Sequence, residues 1–154
     1  MTESTPLDES FRKELLQQGI PEKDLHLYAK FGLGTLIPKL GIVFQEVSAQ
    51  RTVATMPIET NTQPAGLLHG GASAALLETV GSFAAFSAAP EGFAAVGTEL
   101  NITHLRPGLS GKVTAVCTAV RIGRTQCVHA VEIRNDAGDL VSIGRMTNQF
   151  VPLR

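Results

Sequence analysis

The chain has 154 residues, enough for one domain with a real hydrophobic core. Its hydrophobic fraction of 44% and charged fraction of 18% are those of an ordinary globular protein, and a formal net charge of −1 argues against a nucleic-acid binder. No run of Lys and Arg points to a membrane surface. The longest apolar stretch, residues 67–89, is broken by His69, Glu78 and several Gly and Ser residues, so it is a poor membrane span.

Residues 1–10 are polar and acidic, without a basic n-region or an apolar h-region, so no secretory signal is expected. Residues 10–19 and 21–32 read as two short helices, the first with Ser10 as N-cap and Gly19 as stop, the second with Pro21 in its first turn. They form an expected helical extension, residues 1–36, attached to a main domain over residues 37–154. From Leu40 the pattern turns strand-like: residues 40–48 and 51–57 make a hairpin about Ala49-Gln50. A polar loop carrying Asn61, Thr62, Gln63 and Pro64 leads to a long helix over residues 70–88. Four more strands are expected at 94–105, 112–122, 125–134 and 139–151, separated by Pro107-Gly108, Gly123-Arg124 and Asn135-Asp136-Ala137-Gly138. Two strands, one long helix and four strands describe an α+β fold, a single antiparallel sheet wrapped around the helix. Cys117 and Cys127 fall within two of these strand patterns. They read as reduced, packed thiols rather than a cross-strand disulfide, which fits a cytoplasmic protein.

The most informative stretch is Gln63-Pro64-Ala65-Gly66-Leu67-Leu68-His69-Gly70-Gly71, followed by the apolar helix with its one acid, Glu78. On a helical wheel Leu76, Leu77, Val80, Phe83 and Ala84 make the stripe that a concave sheet would bury. The opposite stripe holds Ala74, Ala75, Glu78, Gly81, Ser82 and Ala85, and every member but Glu78 is small. Such a stripe leaves room for another chain or a ligand beside the carboxylate. Glu78 then either meets a basic partner across a subunit interface or does chemistry with Ser82 one turn away. At the helix entry, His69-Gly70-Gly71 lets a substrate oxygen approach backbone N–H groups at the positive end of the helix dipole, as an oxyanion site requires.

Gly70 and Glu78 lie eight residues apart, about 12 Å along a helix. A carboxylate cannot attack a carbonyl held that far away. If both serve one site, two subunits must supply them, through antiparallel helices related by a twofold axis. A dimer with shared sites is the expectation.

These residues resemble those of the hotdog-fold acyl-CoA thioesterases, in particular the 4-hydroxybenzoyl-CoA type with its catalytic acid inside the central helix. The likeness is nearest to the branch that includes 1,4-dihydroxy-2-naphthoyl-CoA thioesterase. It rests on residues 54–58, on the joint QP…GLLHGG…E pattern of residues 63–82, on residues 96–107, and on the shorter pieces 122–126 and 136–140. It spans roughly residues 40–151 and leaves out the first 35.

The resemblance implies Glu78 as nucleophile or as base for water, and Gly70 as the backbone donor that polarises the thioester carbonyl. It implies Gln63 and His69 as polar residues around carbonyl and sulfur, and Ser82 as the hydroxyl that assists water. Glu78 and Ser82 of one subunit would face Gln63, His69 and Gly70 of the next. His104, Arg106, Gly123, Arg124 and Thr125 would lie along coenzyme A, where a guanidinium suits phosphate. Leu67, Leu68, Phe83 and Val96, with Phe86, are candidates for an apolar acyl pocket, or simply for core. No metal and no cofactor are expected, coenzyme A being part of the substrate. A tetramer of two dimers is implied, acting on an aromatic acyl-CoA with fatty acyl-CoA as alternative. Two rivals stay in view: a noncatalytic acyl-CoA or acyl-carrier binding module, and a hotdog hydratase, whose Asp/His arrangement is not found here.

Overall fold

A computed structural model of the chain describes residues 9–22, 25–28 and 32–153. Three short helices come first, α1 (Glu9–Gln17), α2 (Leu25–Tyr28) and α3 (Leu36–Leu40). The hairpin β1 (Val43–Glu46) and β2 (Arg51–Pro57) follows, then the long helix α4 (Gly70–Ala88). The chain ends with β3 (Phe93–His104), β4 (Lys112–Ile122), β5 (Gln126–Asn135) and β6 (Leu140–Pro152). Alternation at period two selects the inner face of each strand: Val113, Ala115 and Cys117 on β4, and Cys127, His129, Val131 and Ile133 on β5, are all buried.

The six strands form one antiparallel sheet in the order β1-β2-β4-β5-β6-β3. β3 leaves the end of α4 and pairs only with β6, so a twelve-residue strand lies at the sheet's edge. Leu76, Leu77 and Val80 of α4 are fully buried against the concave face, each worth about 1.5–3 kcal/mol relative to exposure. This is the hotdog architecture, a sheet wrapped around one helix.

Leu15, Ile20, Leu25, Tyr28, Leu33 and Ile37 join the same hydrophobic core as α4 and the sheet. The amide of Phe44 donates to the carbonyl of Gln18 at 2.7 Å, which ties the end of α1 to β1. Of the helix expected over residues 21–32, α2 forms one turn, while residues 23–24 and 29–31 lie outside the described residues. Leu40, expected to start a strand, instead closes α3. Gly41, at φ 68° in the left-handed region, caps that helix and turns the chain into β1.

One expectation about α4 is corrected. Gly81 and Ala85, placed on the open stripe of small residues, are buried. A Cβ on Gly81 would stand 2.9 Å from the sulfur of Met146, so the missing side chain lets β6 approach the helix. Ala85 packs with Cys127 and Phe150. What stays open is narrower, comprising Ala74, Ala75, Glu78 and Ser82. Phe83, expected beneath the sheet, packs against the core and stacks on Phe44 of β1, but it is only half-buried, with Tyr28 on its other side.

Candidate active site

Backbone hydrogen bonds fold the loop before α4 onto the helix entry. Gln63 N donates to Leu67 O at 2.8 Å, Gly66 turns in the left-handed region at φ 78°, and Thr62 bridges Leu68. The buried side-chain amide of Asn61 donates to the carbonyls of Leu40 and Pro57, both at 2.8 Å, and the backbone carbonyl of Asn61 accepts from His69 N at 2.9 Å. His69 thereby becomes the N-cap of α4, and its Nδ1 accepts from Gly71 N at 2.8 Å. An accepting Nδ1 puts the proton of a neutral ring on Nε2, leaving that nitrogen as a donor.

The first-turn amides are then nearly all accounted for. Gly71 donates to the cap, and Ala72 and Ser73 donate to His69 O at 3.0 and 3.1 Å. Gly70 N has no acceptor among the described residues. A helix N-terminus with one unspent donor favours an oxygen that gains negative charge.

That amide borders a hollow of about 390 Å³. Gln63, Leu67 and Leu68 line one side, with Ser73 behind Gly70, and His104, Arg106 and Ser142 line the other. The fit against Gly70 is close, since a Cβ there would stand 2.8 Å from His104 Nε2. His104 Nδ1 is 3.0 Å from the hydroxyl of the fully buried Ser142, which fixes the ring's orientation. Ser142 went unnoticed in the sequence because a serine on a strand's inner face carries no motif, though its register opposite His104 would have pointed to it. Arg106 donates to Leu140 O at 3.2 Å and is otherwise exposed.

The loop after β3 completes this wall. Leu68 N donates to Gly108 O, and Gly111 N donates to Glu59 Oε1 at 2.6 Å. That backbone bond holds the Glu59 carboxyl below its ordinary value.

Glu78 lies elsewhere. It is exposed and opens on a separate hollow with Ala75, Thr79 and Ser82 of α4 and with Leu36 and Ile37 of α3. Within one chain, therefore, Gln63, His69 and Gly70 gather at one end of α4, while Glu78 and Ser82 share its middle. The coenzyme A candidates divide as well. His104 pairs with Ser142 on β6, whereas Gln126, next after the turn of Gly123, Arg124 and Thr125, pairs with Gln149. Seven residues of β6 separate those positions, about 23 Å. Of the acyl-pocket candidates, Leu67 and Leu68 line the first hollow and Phe83 the second, while Val96 is 46% exposed on β3.

A family model described as "Thioesterase superfamily" matches residues 65–142. The chain belongs to this superfamily. Among curated proteins, it is 45% identical over 105 residues to proofreading thioesterase EntH of Klebsiella pneumoniae, covering 68% of this chain and 77% of that protein. Among solved structures, a Haemophilus influenzae thioesterase matches with TM-score 0.73 and 38% identity, over 79% of this chain and 85% of that one. A variant of a Pseudomonas aeruginosa thioesterase matches with TM-score 0.75 and 32% identity, over 99% and 98%. The protein is a thioester hydrolase of the hotdog fold. No helix among the described residues of this thioesterase is long and apolar enough to cross a membrane.

Proposed function

We propose that this thioesterase hydrolyses an aromatic acyl-CoA to the free acid and coenzyme A, in sites shared between two copies of the chain. The observation that carries this reading is the unspent amide of Gly70, about 12 Å along α4 from Glu78 and in a different hollow. Each chain holds both halves of a hydrolytic centre and cannot join them by itself. A twofold axis that sets two α4 helices antiparallel brings Glu78 of one copy to Gly70 of the other. The same operation relieves the second division, because it carries the turn at residues 123–125 of one copy toward the His104 end of the other. The open edge of β3, with Phe93 and Val96 exposed, supports such a contact, since a long unpaired edge invites pairing.

In this reading Gly70 N–H donates to the thioester oxygen and stabilises the tetrahedral oxyanion. In one route Glu78 attacks the carbonyl carbon and the C–S bond breaks to release coenzyme A thiolate, giving a mixed anhydride that water then hydrolyses to the free acid. In the other, Glu78 takes a proton from a water held by Ser82, and that water attacks the carbon. Collapse of the tetrahedral intermediate then expels the thiolate, which takes up the proton. Gln63 and His69 Nε2 donate near carbonyl and sulfur. His104, Arg106, Gly123, Arg124 and Thr125 hold coenzyme A. No metal or cofactor takes part. A tetramer of two such dimers and a cytoplasmic setting complete the proposal, the latter in keeping with two free, buried cysteines.

Thiol release from a panel of aryl and alkyl acyl-CoA thioesters tests the reaction. Fatty acyl-CoA as the better substrate would redirect the substrate claim, and no release from any thioester would favour a binding module. Single-turnover hydrolysis in ¹⁸O water separates the two routes, because only the anhydride places label in Glu78. A second reading draws on the word "proofreading" in the EntH relative's name. A proofreading role predicts a flat profile across acyl groups rather than one preferred substrate.

A further inference from the structure

Two hollows open along the middle of α4 and share Ser82 and Phe83. The first, about 230 Å³, holds Glu78. The second, about 290 Å³, continues past Phe83 and is walled by Tyr28, Gly32, Phe86, Ala94 and Ala95. Three separate parts of the chain build it: the N-terminal segment, α4 and the start of β3. Phe83 stacks on Phe44 at 4.3 Å and on Tyr28 at 4.9 Å, with interplanar angles of 26° and 18°. Tyr28 also leans on Phe86 at 5.7 Å. Buried Leu15, Ile20, Leu25 and Leu33 hold the N-terminal segment in the core, so the Tyr28 ring is a fixed wall.

Spacing on the helix sets what can reach this wall. Phe83 lies five residues beyond Glu78 and Phe86 eight, rises of about 7.5 and 12 Å. With its carbonyl at Glu78, an acetyl group ends inside the first hollow. A rigid aryl group extends past Ser82 into the second and meets ring faces and edges at the 4.5–7 Å separations that aromatic groups prefer. Apart from the Ser82 hydroxyl the side chains there are apolar or aromatic, which suits a planar ring.

We propose that Tyr28 and Phe86 form the far wall of an acyl subsite that receives the aromatic ring of the substrate, so that the N-terminal segment sets acyl selectivity. This rests on the thioesterase reading above, with Glu78 at the carbonyl. Tyr28 is the chain's one tyrosine, and the chain has no tryptophan. Protein grown with ring-¹³C tyrosine therefore gives a single ring signal that reports this wall directly.

The full-length protein is titrated with phenacyl-CoA, a thioether that cannot be hydrolysed, and in parallel with hexyl-CoA. The Tyr28 signal shifts saturably with the aryl thioether and by less with the alkyl one. In parallel, the ratio of kcat/KM for benzoyl-CoA over hexanoyl-CoA falls by about tenfold in Tyr28→Leu. Because Tyr28 is also a core residue, Ala94→Phe serves as a second variant, which fills the hollow without removing a ring and lowers the same ratio. A Tyr28 signal unmoved by millimolar phenacyl-CoA, or a wild-type ratio in folded Ala94→Phe, overturns the proposal. A wild type inert toward every thioester whose Tyr28 signal still shifts with phenacyl-CoA strikes the catalytic reading and upholds the subsite. An active wild type with an unmoved signal does the reverse.

Discussion

The start and the middle of one helix face different surroundings. At its start, α4 presents an unspent amide, a capping imidazole and a second histidine braced by a buried serine, in a hollow with an arginine at its rim. Along its middle it presents a lone carboxylate, a hydroxyl and then Phe83, stacked between Phe44 of β1 and Tyr28 of α2. In the proposed function the first region receives developing negative charge, and the second supplies the nucleophile or base and holds an apolar group. A helix can carry both because its dipole acts within the first turn while its lateral face is free to carry other chemistry. It cannot bring them together, because the rise between them is fixed. In the proposed function that fixed rise is what divides the labour between two copies of the chain.

The largest expected effect comes from the middle of the helix. Glu78→Ala lowers kcat about a thousandfold or more, the range of a lost positioned base or nucleophile, while the melting temperature holds because Glu78 is exposed and forms no ion pair among the described residues. Thiol release beside thermal unfolding reads both quantities. A fully active variant would remove Glu78 from the chemistry and with it the contrast between the two regions.

At the helix entry, Gly70→Ala sets a methyl 2.8 Å from His104 Nε2, and that ring is tethered to Ser142. Activity drops about a hundredfold as carbonyl and donor are pushed out of register. The sharper measurement mixes the two inactive proteins after reversible dissociation. Random pairing puts half of the dimers in the mixed state with one intact site in two, so about a quarter of wild-type activity returns. No recovery, with subunit exchange verified by mass, would place both halves of the site in a single chain and defeat the shared arrangement.

A third contrast is pH dependence far from either hollow. Burial pushes the Cys117 thiol up to about 12 and Cys127 up to about 11, from an ordinary value of 9.0. Folded-state values above unfolded ones mean that the thiols' contribution is fully present below pH 9 and is lost as pH rises toward 11 and 12. Urea midpoints for wild type should therefore fall along that alkaline limb, and Cys117→Ala should flatten it. Equal slopes in both proteins would show that the thiol is not buried in the neutral form.

The two regions also differ in how far they were legible in the sequence. Turn chemistry and strand alternation located the helix and every strand to within a few residues, because both signals are local. Glu78 was conspicuous as the one acid in a long apolar run. The distance from Gly70 was readable because helical rise is fixed. Contacts between segments distant in the chain were not legible. Ser142 behind His104 depends on the register of β3 on β6, and Gly81 and Ala85 looked open because nothing local announces Met146 or Phe150 above them. The aromatic wall at Tyr28 was hidden for the same reason, since it forms only when the first helices fold back over α4.

The smallest effect sharpens the comparison from the side of the polar hollow. Glu59 accepts from Gly111 N at 2.6 Å and so pins the loop whose Pro107 and Gly108 wall that hollow. Its carboxyl is held below the ordinary 4.5, chiefly by that backbone bond. A depressed folded-state value means that the stabilisation is present above 4.5 and is lost as pH falls through the folded value. The side chain is solvent-exposed, so Glu59→Gln should lower the melting temperature at pH 7 by no more than about 2 °C, and the difference from wild type should vanish in acid. In kinetics the variant should raise KM for the thioester slightly and leave kcat within about twofold, because it loosens a wall without touching the reacting atoms. A large fall in kcat would mean that the loop after β3 takes part in the chemistry itself, and the polar region would then extend well beyond the start of α4.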